Sequence, residues 1–271
     1  MNRTPVVFIH GAWLHALSWE SWAERFASRG FLALTPGWPG EGAVHEVRRS
    51  PGTLGGIGLD TLTDHYAGIV RSFDISPVIV GHSVGGLIAQ HLIGANVGRA
   101  AVAIAPAPIS GVPLPASRPR LWTPGEDDPA DPVVSLSPER FHQAVANTVG
   151  AGESGRLHER YAIPTSRRLL ADLGCVGTWR PGPQAAADVG NAGRGPLLLV
   201  SGQEDRLVPD SVTRAVYKQY GDSTAVTDLK QFADRAHSLV IDSGWRSVAD
   251  HVLGWLDERG VRALPGPGHT P

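Results

Sequence analysis

The chain has 271 residues, of which 42% are hydrophobic and 18% charged, and its formal net charge is −2. This composition excludes a wholly disordered chain, and the charge excludes an electrostatic surface for nucleic acid or an anionic membrane. The apolar runs are too short for a membrane span or a signal peptide, and the single cysteine excludes an internal disulfide. We therefore expect a cytoplasmic protein whose partner is a small-molecule substrate. Its arginine-rich, alanine-rich and glycine-rich composition is typical of a GC-rich bacterial genome.

Short apolar runs bounded by glycine and proline alternate with amphipathic segments, as in a parallel sheet covered by helices. Strands are predicted at 5–10, 31–36, 77–82, 100–105, 196–201 and 226–232. Helices are predicted at 18–29, 59–73, 84–95, 211–220 and 245–259, with Ser18 and Asp60 as start signals of the first two. The order predicts an α/β fold with a doubly wound, mostly parallel six-stranded sheet.

The alternation breaks between Pro106 and Gly195. This segment opens with a proline-rich stretch and continues with helical patterns near 138–149, 153–161 and 166–173. It is too long for a plain loop in a compact domain, so we predict an inserted helical cap. The expected organisation is a core at 1–106 and 193–261, a cap at 107–192, and a disordered Pro/Gly-rich tail at 262–271.

The most informative motif is Gly81-His82-Ser83-Val84-Gly85, which directly follows a predicted strand and precedes a predicted helix. In that context Gly-x-Ser-x-Gly predicts a nucleophile elbow, with Ser83 exposed on a sharp turn at the sheet edge. The alternative is a serine that only caps the helix. A serine hydroxyl needs a base to remove its proton and a third group to orient that base.

An acid and a histidine follow in the order expected downstream of such an elbow. Asp205 lies in the loop after the predicted strand at 196–201, and His237 lies in the loop after the last strand. We predict that Asp205 orients His237 and that His237 is the base. Glu204 and Asp234 are the competing carboxylates, and a loop histidine without a catalytic role is the alternative for His237.

An oxyanion needs hydrogen-bond donors aimed at it in a site that excludes water. We predict the backbone N–H groups of Val84, which follows the nucleophile, and of Ala12, in the turn after the first strand. His10 and His82 belong to turn motifs and are expected to pack or hydrogen-bond locally rather than to transfer protons.

Three tryptophans, Trp13, Trp38 and Trp122, are candidates for lining the substrate cavity, although aromatic residues also fill cores. Cys175 is expected to be a small buried hydrophobe. No cluster has metal-ligand spacing and no phosphate-binding loop is present, so neither a metal nor another cofactor is expected.

On these motifs the chain resembles the α/β-hydrolase-fold serine hydrolases. The resemblance comprises His10-Gly11-Ala12-Trp13, the serine motif, the block from Gly202 to Pro209, and His237, and it spans nearly the whole chain. It implies the fold, the triad roles and a lid built by the insertion. Two departures stand out: the family's first two antiparallel strands are expected to be absent, and the frequent Asp-x-x-Gly-x-Gly is replaced by Gly37-Trp38-Pro39-Gly40-Glu41-Gly42.

The expected function is hydrolysis of a carboxylic ester or related acyl compound through an acyl-enzyme on Ser83. Similar chains use the same triad for lyase, acyl-transfer or ring-forming chemistry, which is the main alternative. A small-molecule receptor that has lost turnover is a further alternative. The sequence makes no prediction of oligomeric state.

Overall fold

The computed structural model describes residues 3–115, 130–175 and 180–262. The strands are β1 Pro5–Ile9, β2 Leu32–Leu34, β3 Val78–His82, β4 Ala100–Ile104, β5 Val133–Val134, β6 Thr165–Ser166, β7 Leu197–Gly202 and β8 Thr227–Phe232. The α-helices are α1 Glu20–Ser28, α2 Val44–Arg49, α3 Leu59–Arg71, α4 Val84–Gly94, α5 Pro138–Ala144, α6 Ala151–Tyr161, α7 Arg167–Asp172, α8 Asp210–Gln219 and α9 Trp245–Glu258. Short 3-10 turns lie at Ala16–Trp19, Pro51–Leu54 and Pro183–Ala185.

Six strands form one sheet in the order β2-β1-β3-β4-β7-β8, and each neighbouring pair is parallel. Strands β1, β3, β4 and β7 are buried along their whole length. Such uninterrupted apolar strands arise because helices cover both faces of a parallel sheet. The predicted six-stranded, doubly wound sheet is therefore confirmed.

The helices extend the core on both sides of the strands. Helix α1 packs against α9, and α3 packs against α4. Helix α4 is buried at every position except His91, as expected of the helix that follows the central strand β3. An aromatic cluster joins β1 to α1, with the Phe8 ring 5.1 Å from Trp19 and 5.2 Å from Phe26.

The strand order changes direction between β1 and β3. From β1 the chain moves outward to β2, and it then returns to β3 on the other side of β1. Open α/β sheets bind their ligands outside the carboxyl ends of the strands at such a switch point. Here those ends lead directly into residue 10 and into Ser83.

The insertion between β4 and β7 contains helices α5, α6 and α7 and the antiparallel pair β5 and β6. These helices agree with the three helical patterns in the sequence. The division into a core domain and a cap domain stays a prediction, and most of the tail lies outside the described residues.

Two predicted helix starts are wrong in detail. Ser18 lies inside the 3-10 turn before α1, where His15 accepts the capping hydrogen bond from Leu17 N–H. Asp60 lies in the first turn of α3, whose N-cap is Gly58. An acidic residue in that first turn still interacts favourably with the helix dipole.

Among the described residues the longest helix is α9, with 14 residues, and no helix there is long and apolar enough to span a membrane.

Backbone atoms approach one another very closely at the junction of β1, β3 and α4. A Cβ atom on Gly81 would lie 2.0 Å from the carbonyl oxygen of Gly85, and one on Gly85 would lie 2.1 Å from the carbonyl oxygen of Ile9. Both neighbours are backbone atoms, which cannot move without displacing a strand or a helix. Glycine is therefore required at both positions.

Replacement of Gly85 by alanine is expected to lower the free energy of unfolding by about 1–3 kcal/mol or more, through overpacking against β1. Gly254 in α9 is the matched control, because it is exposed and a Cβ there meets nothing within 4 Å. Gly254→Ala should raise the free energy of unfolding by about 0.5–1 kcal/mol. Urea denaturation of both variants checks this, and equal stabilities would contradict it.

Candidate active site

Ser83 occupies the turn between β3 and α4 in a strained backbone conformation. Its φ is 54° and its ψ is −117°, and its side chain makes no capping hydrogen bond to α4. The helix-capping alternative therefore does not describe Ser83. A non-glycine residue with positive φ costs free energy that the surrounding packing must offset, and such residues cluster at functional sites.

Asp205 and His237 form a buried pair on two neighbouring loops. His237 Nδ1 donates to Asp205 Oδ2 at 2.7 Å, and the two residues are 2% and 4% exposed. The other oxygen, Oδ1, accepts the N–H groups of Leu207 and Val208 at 2.8 Å each. Because Nδ1 carries the hydrogen, Nε2 of a neutral His237 presents its lone pair for accepting a proton.

The competing carboxylates lie elsewhere. Glu204 is exposed, and Asp234 is exposed beside Arg235. Neither contacts His237, so the geometry favours Asp205 as the residue that orients the imidazole.

His82, the residue before Ser83, hydrogen-bonds to the loop that contains His237. Its Nε2 donates to the His237 carbonyl oxygen at 2.9 Å, and the two imidazole rings are 4.6 Å apart. Burial, followed by the nearby His237, holds the pKa of His82 well below its usual range. His82 is therefore neutral and links the two loops through a long-range hydrogen bond, rather than bonding within its own turn.

Within the described residues Ser83 Oγ makes no hydrogen bond to His237. Catalytic serine–histidine contacts are often loose before substrate binds and tighten in the reacting complex. The structure thus brings Asp205 and His237 into contact. Ser83 directly follows His82, which hydrogen-bonds to the His237 backbone.

Two backbone N–H groups remain available beside Ser83. Ala12 N–H and Val84 N–H have no acceptor among the described residues. By contrast, Trp13 N–H donates to Thr165 Oγ1 at 2.6 Å, and Trp13 has a φ of 60°. The N–H groups of Ala12 and Val84 are the two that the sequence predicts for an oxyanion hole, and that role stays a prediction.

Ser83 lies on the wall of a pocket that is otherwise almost entirely apolar. Its other described lining residues are Ala12, Trp13, Ala107, Pro108, Leu114, Leu170, Leu173, Cys175, Leu207 and Val208. Leu170, Leu173 and Cys175 come from the insertion, and nothing in the local sequence pattern identifies them as pocket residues.

The three candidate tryptophans have different placements. Trp13 lines the pocket. Trp38 instead lies in the core, 2% exposed and stacked on the His10 ring at 4.7 Å. Trp122 lies outside the described residues.

Glu41 is a buried carboxylate that sequence reasoning missed. Burial raises the pKa of Glu41, but His10, the Ala16 N–H and His15 together outweigh burial and lower that pKa to about 2. The only sequence signal is its place in the glycine-rich loop that replaces the family's aspartate motif.

No group of three or more His, Cys, Asp or Glu side chains in the described parts of the chain is arranged to hold a metal ion. A strained serine between β3 and α4 and a buried Asp–His pair are features expected of the class of α/β proteins with a nucleophile elbow.

The sequence model of the alpha/beta hydrolase family matches residues 6–251, and the chain belongs to this family. Family membership supports an enzyme of hydrolase type. The sequence has no significant match among curated proteins.

The fold is similar to that of several solved structures. A monoacylglycerol lipase from Paleococcus ferrophilus has a TM-score of 0.68 at 18% identity, over 94% of both chains. A methylesterase from Arabidopsis has a TM-score of 0.65 at 18% identity, over 94% of this chain and 99% of that one. An extracellular alpha/beta-hydrolase from a Paenibacillus species has a TM-score of 0.66 at 16% identity, over 93% and 98%. At these identities the similarity shows the fold alone.

The pKa of Glu41 gives a prediction for stability against pH. Because the folded value of about 2 lies below the ordinary 4.5, the stabilisation is complete above pH 4.5 and is lost as the pH falls towards 2. The stability difference between the wild type and Glu41→Gln should therefore shrink by roughly 3 kcal/mol across this window. Urea denaturation at several pH values measures it, and a difference independent of pH would contradict it.

Proposed function

We propose that this protein is a serine hydrolase that cleaves a carboxylic ester or related acyl compound through an acyl-enzyme on Ser83. The observation that supports it most is the buried Asp205–His237 pair, 2.7 Å apart, whose histidine backbone is hydrogen-bonded by His82, the residue before Ser83. Ser83, Asp205 and His237 all follow the carboxyl ends of strands of one sheet, which supports the arrangement that acyl transfer to serine requires.

In the first half-reaction His237 Nε2 takes the proton of Ser83 Oγ as that oxygen attacks the acyl carbon. The resulting imidazolium is stabilised by Asp205, to which Nδ1–H is already bonded. His237 then gives the proton to the leaving alcohol as the carbon–oxygen bond breaks. Water repeats the sequence against the acyl-enzyme, releasing the carboxylic acid and restoring Ser83.

The developing negative charge on the carbonyl oxygen is bound by the N–H groups of Ala12 and Val84. Neither donor has an acceptor among the described residues, so both can turn to the substrate oxygen without losing a hydrogen bond within that part of the chain. Val84 N–H also lies in the first turn of α4, where the helix dipole is positive. Removing one such donor typically lowers kcat by about 100–1,000-fold.

The pocket beside Ser83 supports an apolar acyl or alcohol group as the part of the substrate that is buried. Among its described lining residues, the Ser83 hydroxyl and the Cys175 thiol are the polar side-chain groups apart from the Trp13 indole. The indole nitrogen is occupied, since it donates to the Val134 carbonyl oxygen at 3.0 Å. The names of two structural neighbours, a monoacylglycerol lipase and a methylesterase, likewise refer to esters.

We also infer that the insertion serves as a cap over this pocket. Leu170, Leu173 and Cys175 contribute one wall, while Ala12 and Ser83 contribute another from the sheet edge. An apolar wall from a separate chain segment excludes water from the reacting carbonyl and strengthens the interactions of the oxyanion.

Ser83→Ala is expected to abolish hydrolysis of an aryl ester and labelling by a fluorophosphonate while leaving the thermal unfolding temperature close to that of the wild type. Ser154→Ala is the matched control, because Ser154 is another buried serine whose hydroxyl has no partner among the described residues. It should keep both activities, and mass spectrometry should place the label on Ser83. Undiminished turnover by Ser83→Ala would refute the proposal.

Asp205→Asn is expected to lower kcat by about 10,000-fold, because the amide favours the wrong tautomer of His237. Glu204→Gln and Asp234→Asn remove the competing carboxylates and should leave kcat within about twofold, since both side chains are exposed and make no contact with His237. Steady-state kinetics on one ester compares the three variants. A large loss in either control with little loss in Asp205→Asn would reassign the acid.

A further inference from the structure

The loop after β2 buries a carboxylate whose function the catalytic mechanism above does not use. The Glu41 side chain is 1% exposed, and it faces the segment from His10 to Ala16 that contains the Ala12 donor. A carboxylate is costly to bury unless several donors or positive groups surround it.

Each Glu41 oxygen contacts a different part of that segment. Oε1 accepts Ala16 N–H at 2.9 Å and lies 3.3 Å from His15 Nε2. Oε2 lies 2.9 Å from His10 Nε2. Oε2 also accepts Trp38 N–H at 3.3 Å. The carboxylate thus contacts residues on both sides of Ala12.

The two histidines are themselves fixed. His10 stacks on Trp38 and its Nδ1 donates to the Gly11 carbonyl oxygen at 3.0 Å. His15 Nδ1 accepts Leu17 N–H, so Nε2 carries the hydrogen and donates to the Gly42 carbonyl oxygen, both at 2.9 Å. Movement of Glu41 would therefore disturb the segment before Ala12 and the segment after it.

From these contacts we infer that Glu41 is a positioning residue that holds the Ala12 N–H in place for the oxyanion. The inference rests on the proposed function, because it concerns the oxyanion hole of that reaction. Glu41 holds the segment from one side, and Thr165 holds Trp13 N–H from the other. Ala12 lies between His10, which contacts Glu41, and Trp13, which Thr165 holds, so both contacts constrain the direction of its N–H.

The carboxylate of Glu41 supplies two acceptor oxygens, and both are used. A glutamine at this position has one acceptor oxygen, whereas Ala16 N–H and Trp38 N–H each donate to a separate oxygen. In either orientation of the amide, one of these backbone donors would face an NH₂ group. Glutamine therefore fits the space but cannot accept the hydrogen bonds from both Ala16 N–H and Trp38 N–H.

The experiment compares Glu41→Gln, Glu41→Asp and the wild type by kcat and KM on one ester, with kcat expressed per Ser83 site titrated by a fluorophosphonate. Glu41→Gln is expected to lower kcat by about 10–100-fold with KM within about twofold, because a misplaced donor acts on the transition state alone. Glu41→Asp keeps the charge and should recover part of that loss. The rate of phosphonylation of Ser83 should fall in parallel with kcat.

Asp228→Asn is the matched control. Asp228 lies on β8 at the opposite edge of the sheet and accepts Trp255 Nε1–H at 2.7 Å. Its loss should lower the thermal unfolding temperature without changing kcat per titrated site.

The outcomes are separable. If Glu41→Gln lowers only the unfolding temperature and leaves kcat per site within about twofold, Glu41 has a structural role alone and the inference is overturned. If the glutamine variant does not fold, Glu41→Asp is measured instead. The inference is then overturned if Glu41→Asp keeps the full wild-type kcat per site. A wild type that neither hydrolyses esters nor is labelled at Ser83 overturns the proposed function itself, and the inference with it.

Discussion

The site depends on one backbone contact, the close approach of the first turn of α4 to the carboxyl end of β1. Gly85 touches the Ile9 carbonyl group so closely that no side-chain atom fits between them. This contact fixes where the helix begins and so forces Ser83 into its positive-φ conformation. The strain at Ser83 persists because four buried strands and a buried helix leave the turn no alternative path.

Around this turn the protein uses two buried carboxylate–histidine contacts for different purposes. Asp205 contacts an imidazole whose other nitrogen has no partner among the described residues, which suits the proposed proton transfer. Glu41 contacts imidazoles that are held by backbone groups, which suits a rigid scaffold. In the proposed reaction, the same pair of residue types serves chemistry or structure according to what the second ring nitrogen meets.

The six strands, the main helices and the serine motif were predictable because they rest on local patterns. Strands such as β1 and β7 are continuous apolar runs, and Gly-x-Ser-x-Gly has a local meaning between a strand and a helix. Strands β5 and β6 have only two residues each, too few for a periodicity to show. Their existence depends on tertiary contacts.

The parts of the site that the sequence did not predict are contacts between distant segments. Thr165 reaches Trp13 across 152 positions, and no local pattern marks its hydroxyl as an acceptor. The placement of Trp38 in the core follows from its stacking on His10, which a count of aromatic residues cannot distinguish from a cavity wall. These two contacts are visible only in the folded structure, because the residues that make them are far apart in the sequence.

Residues 161–165 of the insertion contact the segment from His10 to Ala16. Leu14 forms a β-bridge with Ala162, and His15 N–H donates to the Tyr161 carbonyl oxygen. The insertion's pocket-facing residues, Leu170 and Leu173, lie on a separate helix and the turn after it. In the proposed reaction, a substitution on the pocket side of α7 would change the wall that meets the substrate, whereas one within residues 161–165 would also disturb the segment that contains Ala12. The inserted segment thus contributes a pocket wall through one stretch and a backbone support through another.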